Sequence, residues 1–139
     1  MEKTSSHASG RCLCGAVQYE VRGSLSDAHV CHCSQCRRQS GHCVAATSAK
    51  RADFVLTEER GLKWFASSPV ARRGFCNECG SALFWDDQGE EISINAGSLD
   101  QPSGTKVASH IFVDDKADYY EISDDLPKYA GFDTPVTPE

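Results

Sequence analysis

The sequence predicts a single, mainly β domain, and three observations carry that expectation. Short runs of strand-forming residues recur along the 139-residue chain with turn residues between them. Helical periodicity is almost absent. No repeat of fixed period and no linker-like stretch divides the chain. A chain of this length buries roughly 68–70% of its unfolded surface, enough for one core without covalent staples.

Taken in order, residues 1–9 are polar and expected to form a flexible N-terminal segment. "GAVQYEV" (15–21) places Val17, Tyr19 and Val21 on one face and reads as a half-buried strand. "DAHVCHC" (27–33) reads as a second strand running into a cysteine cluster. "SQCRRQSG" has room for one helical turn, with Ser34 as the expected N-cap and Gly41 as the stop. "CVAATSA", "FVL" and "LKWFAS" read as strands, as do "RRGFC", "SALFW", "EISINAG" and "HIFV". Trp64, Trp85 and the phenylalanines at strand spacing are assigned to the core. From Asp114 the chain is acidic and Pro-containing, and "GFDTPVTPE" has too little apolar content to fold alone. The domain is therefore expected over 10–130, with a flexible C-terminal tail over 131–139.

Charge and hydropathy narrow the function classes. A formal net charge of −6 argues against nucleic acid as the main partner, since phosphate recognition needs a basic surface. The beginning, "MEKTSSHASG", lacks an apolar h-region, and no apolar run approaches the roughly 18 residues of a membrane span. No membrane partner and a cytoplasmic location are expected.

The eight cysteines carry the chemistry. A reducing compartment disfavours disulfides. Cysteines two apart in an extended chain, such as Cys12 and Cys14, have Cα atoms about 6.5 Å apart, at the strained edge of disulfide geometry. They do point to one face and can offer both sulfurs to one tetrahedral metal. "FCNECG" is a zinc knuckle by spacing: Cys76 and Cys79 lie three apart, followed by a glycine that permits a left-handed turn. A knuckle supplies two of four ligands, and Cys12 and Cys14 supply two more. "CHCSQC" leaves Cys31, Cys33 and Cys36 as a set of three. Structural zinc is closed by four protein ligands, whereas catalytic zinc keeps three and an open position. The count favours one closed and one open site, although Cys43, His29, His32 or His42 would close the second in a purely structural protein. Cys43 itself reads as a small buried hydrophobe.

"GRCLCGAVQYEV", "CHCSQCRRQSG", "RRGFCNECGSALFW", "AGSLDQP" and "HIF", in that order, resemble the glutathione-dependent formaldehyde-activating enzyme family, which includes centromere protein V. The resemblance implies a β-tent of packed antiparallel sheets with zinc-binding knuckles and two zincs per chain. It assigns a structural zinc to Cys12, Cys14, Cys76 and Cys79. A second zinc falls to Cys31, Cys33 and Cys36, associated with glutathione and carbon–sulfur chemistry. His42 and Cys43 depart from the small or aromatic residues expected after the cluster.

The expected function is a zinc-dependent carbon–sulfur lyase or synthase handling S-hydroxymethyl-type adducts of glutathione and an aldehyde. Arg37 and Arg38, directly after Cys36, are candidates to offset the thiolate charge or to pair with substrate carboxylates. Solvation on a polar turn is the plain alternative. His32 and His42 are candidates for proton transfer, although such histidines are more often surface residues or supports for neighbouring groups. A non-enzymatic zinc module that binds a small ligand or protein is the rival reading. A methionine sulfoxide reductase, for which Cys43 would have to be the nucleophile, ranks third.

Overall fold

The computed structural model describes residues 7–132. Ten strands and one short α-helix form two sheets. β1 (Ala8–Arg11), β2 (Gln18–Val21) and β5 (Phe54–Glu58) make a three-stranded antiparallel sheet with β2 in the middle. The remaining strands are β3 (Ala28–Cys31), β4 (Val44–Lys50), β6 (Leu62–Ala66), β7 (Arg72–Cys76), β8 (Ala82–Asp86), β9 (Glu91–Asn95) and β10 (Val107–Ile111). They form a seven-stranded sheet in the order β10-β3-β4-β9-β8-β7-β6. All its pairs are antiparallel except β10 with β3, which is parallel and departs from the purely antiparallel sheets expected.

Period-two alternation gives the large sheet two different faces. Thr47, Ile94 and Phe84 lie side by side across β4, β9 and β8 and face inward. Together with Val17, Tyr19, Val21, Leu83 and Ile92 they form the core between the sheets. The opposite face carries Ala46 beside Asn95, and Ser48 beside Ser93 and then Trp85 and Arg73. These are mostly small residues, so this second face is left hollow. Trp85, assigned to the core from spacing, lies on it, while Phe65 is 62% and Phe132 58% exposed.

A carboxylate is among the polar groups held inside. Asp86 is 1% exposed and takes Arg51 Nη2 at 2.5 Å on Oδ1 and Arg72 Nη2 at 3.0 Å on Oδ2. The Gln88 amide also donates to Oδ1 at 2.7 Å, and the Arg72 guanidinium lies 3.9 Å from the centre of the Trp64 ring. Charge-assisted bonds on both oxygens make the buried carboxylate tolerable.

Several local expectations are revised. β1 begins at Ala8, inside the segment 1–9 assigned to a loose terminus, because β2 offers it a partner with Ala8 opposite Val21. The helix α1 (Ser34–Ser40) has seven residues, and its N-cap is Cys33 rather than Ser34, since the Cys33 sulfur accepts the Cys36 amide. Gly41 does end it, with φ of 92°. After β10 the chain turns at Phe112 and then packs back. The His110 amide donates to the Pro127 carbonyl and the Tyr129 amide to the His110 carbonyl, so the acidic stretch covers the β10 edge. Residues 1–6 and 133–139 of the expected flexible ends lie outside the described residues. Among the described residues no helix is long and apolar enough to cross a membrane.

Candidate metal centres

The first centre joins the two sheets. Cys12 and Cys14 follow β1 in the small sheet, and Cys76 and Cys79 close β7 in the large one. Their four sulfurs lie within 4.8 Å of one another. Left-handed glycines follow both pairs, Gly15 at φ 88° and Gly80 at φ 85°, and fold each turn back so that its sulfurs converge. Cys14 Sγ stands 3.7 Å from both Cys12 Sγ and Cys76 Sγ. A tetrahedral ion with metal–sulfur bonds of about 2.3 Å places its ligands roughly 3.8 Å apart. The donor set and spacing thus fit zinc. Hydrogen bonds back the sulfurs: the Val17 amide on Cys12 at 3.2 Å, the Glu78 amide on Cys76 at 3.4 Å, and Ser81 Oγ at 3.2 Å from Cys79. Those from Ser81 bring the Cys79 thiol down to about 5.

The second centre is built where β3 runs into α1. Cys31 ends the strand, Cys33 caps the helix and Cys36 is one turn in, so three sulfurs meet within 4.8 Å. The Cys31 and Cys36 thiols hydrogen-bond Cys33 and hold its pKa far below the usual thiol range. Those same bonds to Cys33 and Cys36, with burial, raise Cys31. Three thiols this close resist ionising together, which is the condition a divalent cation relieves. Among the described residues the group of His, Cys, Asp and Glu side chains stops at these three.

This centre opens into a cavity of ≈ 480 Å³ on the hollow face of the large sheet. Ala46, Ser48, Ser93 and Asn95 form its floor, α1 and the 68–71 loop its walls, and Phe112 and Phe132 part of its rim. The cation that lines it is Arg73, from the middle of β7, and it is 7% exposed. Its Nη1 donates to Cys36 Sγ at 3.6 Å and to Gln39 Oε1 at 3.3 Å, while Nη2 donates to Gln35 Oε1 at 3.2 Å. Its Nε is buried and has no hydrogen-bond partner.

The other candidates divide clearly. Arg37 is half-buried and Arg38 exposed on α1, and neither lines the cavity. His29 lines it without joining the sulfur trio. His32 is 2% exposed and points the other way, into a chain of hydrogen bonds. His110 Nε2–H donates to the Asp124 carboxylate at 2.9 Å, which leaves His110 Nδ1 to accept from His32 Nε2 at 2.9 Å. His32 Nδ1 then accepts the Tyr120 hydroxyl at 2.5 Å. Burial lowers the His32 pKa and favours its neutral form, which has one ring nitrogen to donate and one to accept. His42 is exposed and pairs with the Tyr119 hydroxyl at 2.6 Å, and Cys43 is half-buried and joins neither trio nor tetrad. His110, Asp124 and both tyrosines were missed from sequence. The signal was two adjacent aromatics in an otherwise acidic stretch. Because the chain ties the Cys31–Cys33 loop from behind, Tyr120→Phe is expected to lower the metal affinity of the second centre by about 10-fold. Competition with a chelating dye would measure it, with the first centre as the internal control.

Three comparisons bear on this arrangement. The profile of the family described as glutathione-dependent formaldehyde-activating enzyme matches residues 7–115. A Schizosaccharomyces pombe protein named as an uncharacterized lyase is 28% identical over 116 residues, which span 82% of this chain and 84% of that protein. A crystal structure of a Rhodobacter sphaeroides protein superposes with a TM-score of 0.58 at 28% identity, covering 71% of this chain and 97% of the other.

Proposed function

The chain belongs to the glutathione-dependent formaldehyde-activating enzyme family, and from that membership we propose that it is a zinc-dependent carbon–sulfur lyase or synthase acting on S-hydroxymethyl-type adducts of glutathione. The observation that carries the reading is the trio Cys31, Cys33 and Cys36 opening into a cavity of a size suited to small molecules, roughly 300–1,000 Å³. The lyase name of the Schizosaccharomyces pombe relative supports the same broad class. Cys12, Cys14, Cys76 and Cys79 serve as the structural zinc site and the trio as the working one.

The reaction is small in atoms. In the lyase direction the adduct's carbon–sulfur bond breaks, its hydroxyl proton is released, the carbonyl forms and the sulfur leaves as a thiol once protonated; synthesis runs the reverse. Zinc, when held by the trio, keeps a coordinated thiol deprotonated at neutral pH. A free thiol is already about 3% thiolate at pH 7, so that gain is at most about thirtyfold, or about 2 kcal/mol. Larger acceleration has to come from the protein. The floor of β4 and β9 and the walls of α1 hold thiol and aldehyde against each other, and confinement of two reactants is worth more than ionisation. The apolar rim of Phe112, Phe132 and Val70 limits water around them.

Cobalt substitution tests this reading, because its visible bands report ligand type and number. Glutathione titrated into the cobalt protein is expected to shift the bands of one metal per chain, and S-methylglutathione, whose thiol is blocked, far less. Formaldehyde added afterwards should perturb the same bands. If millimolar glutathione leaves both metals silent, the second centre does not take this thiol and the non-enzymatic module becomes the better account.

A further inference from the structure

The three thiolates of the second centre and a divalent ion sum to −1, which repels any further anion. The cation in contact with them is neither Arg37 nor Arg38. Arg73 reaches across from β7, touches Cys36 Sγ at 3.6 Å and is steered there by the amide oxygens of Gln35 and Gln39. Holding it there is costly, because the guanidinium is 7% exposed and its Nε is buried without a partner. Asp115, the carboxylate among the residues lining the cavity, is exposed at its mouth. The guanidinium thus brings the inner end of the cavity to neutrality.

We infer that Arg73 sets the charge selectivity of this site, so that the position left open by Cys31, Cys33 and Cys36 takes anionic ligands, thiolates foremost, in preference to neutral ones. The inference rests on the proposed metal role of the trio but not on glutathione as the substrate. The Nη1–Sγ contact plus a metal–sulfur bond places the positive charge about 6 Å from the metal. At an effective dielectric of about 20, one charge at that distance alters anion affinity by about a hundredfold, and solvent and salt leave at least about tenfold. A neutral ligand feels little of it.

The test uses the full-length cobalt-substituted protein with thiocyanate as the anionic probe and imidazole as the neutral one, each titrated by visible absorption. Arg73→Gln is expected to weaken thiocyanate by at least about tenfold and imidazole by less than about twofold. Arg73→Lys, which keeps the charge and loses the planar fork, should retain most of the preference for thiocyanate. Equal weakening of both probes in Arg73→Gln, or no weakening of either, overturns the inference. If Arg73→Gln no longer loads the second cobalt while Arg73→Lys does, charge compensation is again what the site requires. Loss of the metal in both variants assigns Arg73 to packing instead and overturns it. Discrimination between the two probes in a protein that ignores glutathione would remove the glutathione reading and leave the role of Arg73 standing.

Discussion

Cys76→Ser is expected to leave the protein insoluble or unfolded at 25 °C, whereas Cys33→Ser should give a folded protein with one metal fewer. Cys76 is fully buried between the sheets, and its sulfur meets that of Cys14, 62 positions earlier in the chain. A link closing a loop of that length stabilises by about 4 kcal/mol on chain-entropy reasoning, before any metal–sulfur bond energy is counted. Total stabilities run only to about 5–15 kcal/mol. The Cys33 trio, by contrast, falls within a few residues of one strand–helix junction and closes no long loop. Metal content by elemental analysis and melting by circular dichroism would check both variants. Equal destabilisation by the two would end the division into a structural and a working centre.

Asp86→Ala should cost about 3 kcal/mol, the lower end of the range for breaking a buried ion pair, because Arg51 and Arg72 stay partly in water when their partner goes. That corresponds to a melting temperature lower by about 10 °C for a domain of this size. The pH dependence has a definite sign. Burial raises the Asp86 pKa, but hydrogen bonds from Arg51, the Gln88 amide and Arg72 outweigh it, so the folded value lies below the unfolded value of about 3.9. The stabilisation is complete above that unfolded value and is lost as pH falls through the folded one. Denaturant titrations of wild type and Asp86→Ala should therefore converge as the solution is acidified. A gap that does not narrow at all as the pH falls below the unfolded value would mean that Asp86 acts through packing rather than charge.

What the sequence revealed followed locality. Both sulfur sets were legible because cysteines two or three apart converge by backbone geometry alone, and strands such as Glu91–Asn95 announced themselves by alternation. Four features needed the tertiary structure. β1 has no apolar pattern and is a strand because β2 pairs with it. Arg73 sits three residues before Cys76 in sequence, yet its side chain serves the other centre, since alternate residues of a strand face opposite ways. Arg37 and Arg38 are adjacent to Cys36 in sequence but α1 turns them away from the cavity. The Tyr120–His32–His110–Asp124 chain spans three segments, with His32 and Tyr120 88 positions apart, and no short-range pattern encodes it.

The alternation along β4 separates two kinds of evolutionary freedom. Thr47 and Ala49 are committed to the core, where a change of volume is felt by every neighbour. Ala46 and Ser48, one residue away, line the cavity instead, although Ala46 also packs with Cys31, Cys36, Val44 and Ile111. A substitution at Ser48, or at Ser93 across the strand, would resize the chamber without entering that packing. Such a scaffold lets substrate preference drift by single steps while the sheets and the Cys12–Cys14–Cys76–Cys79 staple stay put. Relatives with the same architecture are then free to diverge in what they take up, and the volumes at positions 48 and 93 are where that divergence would be written.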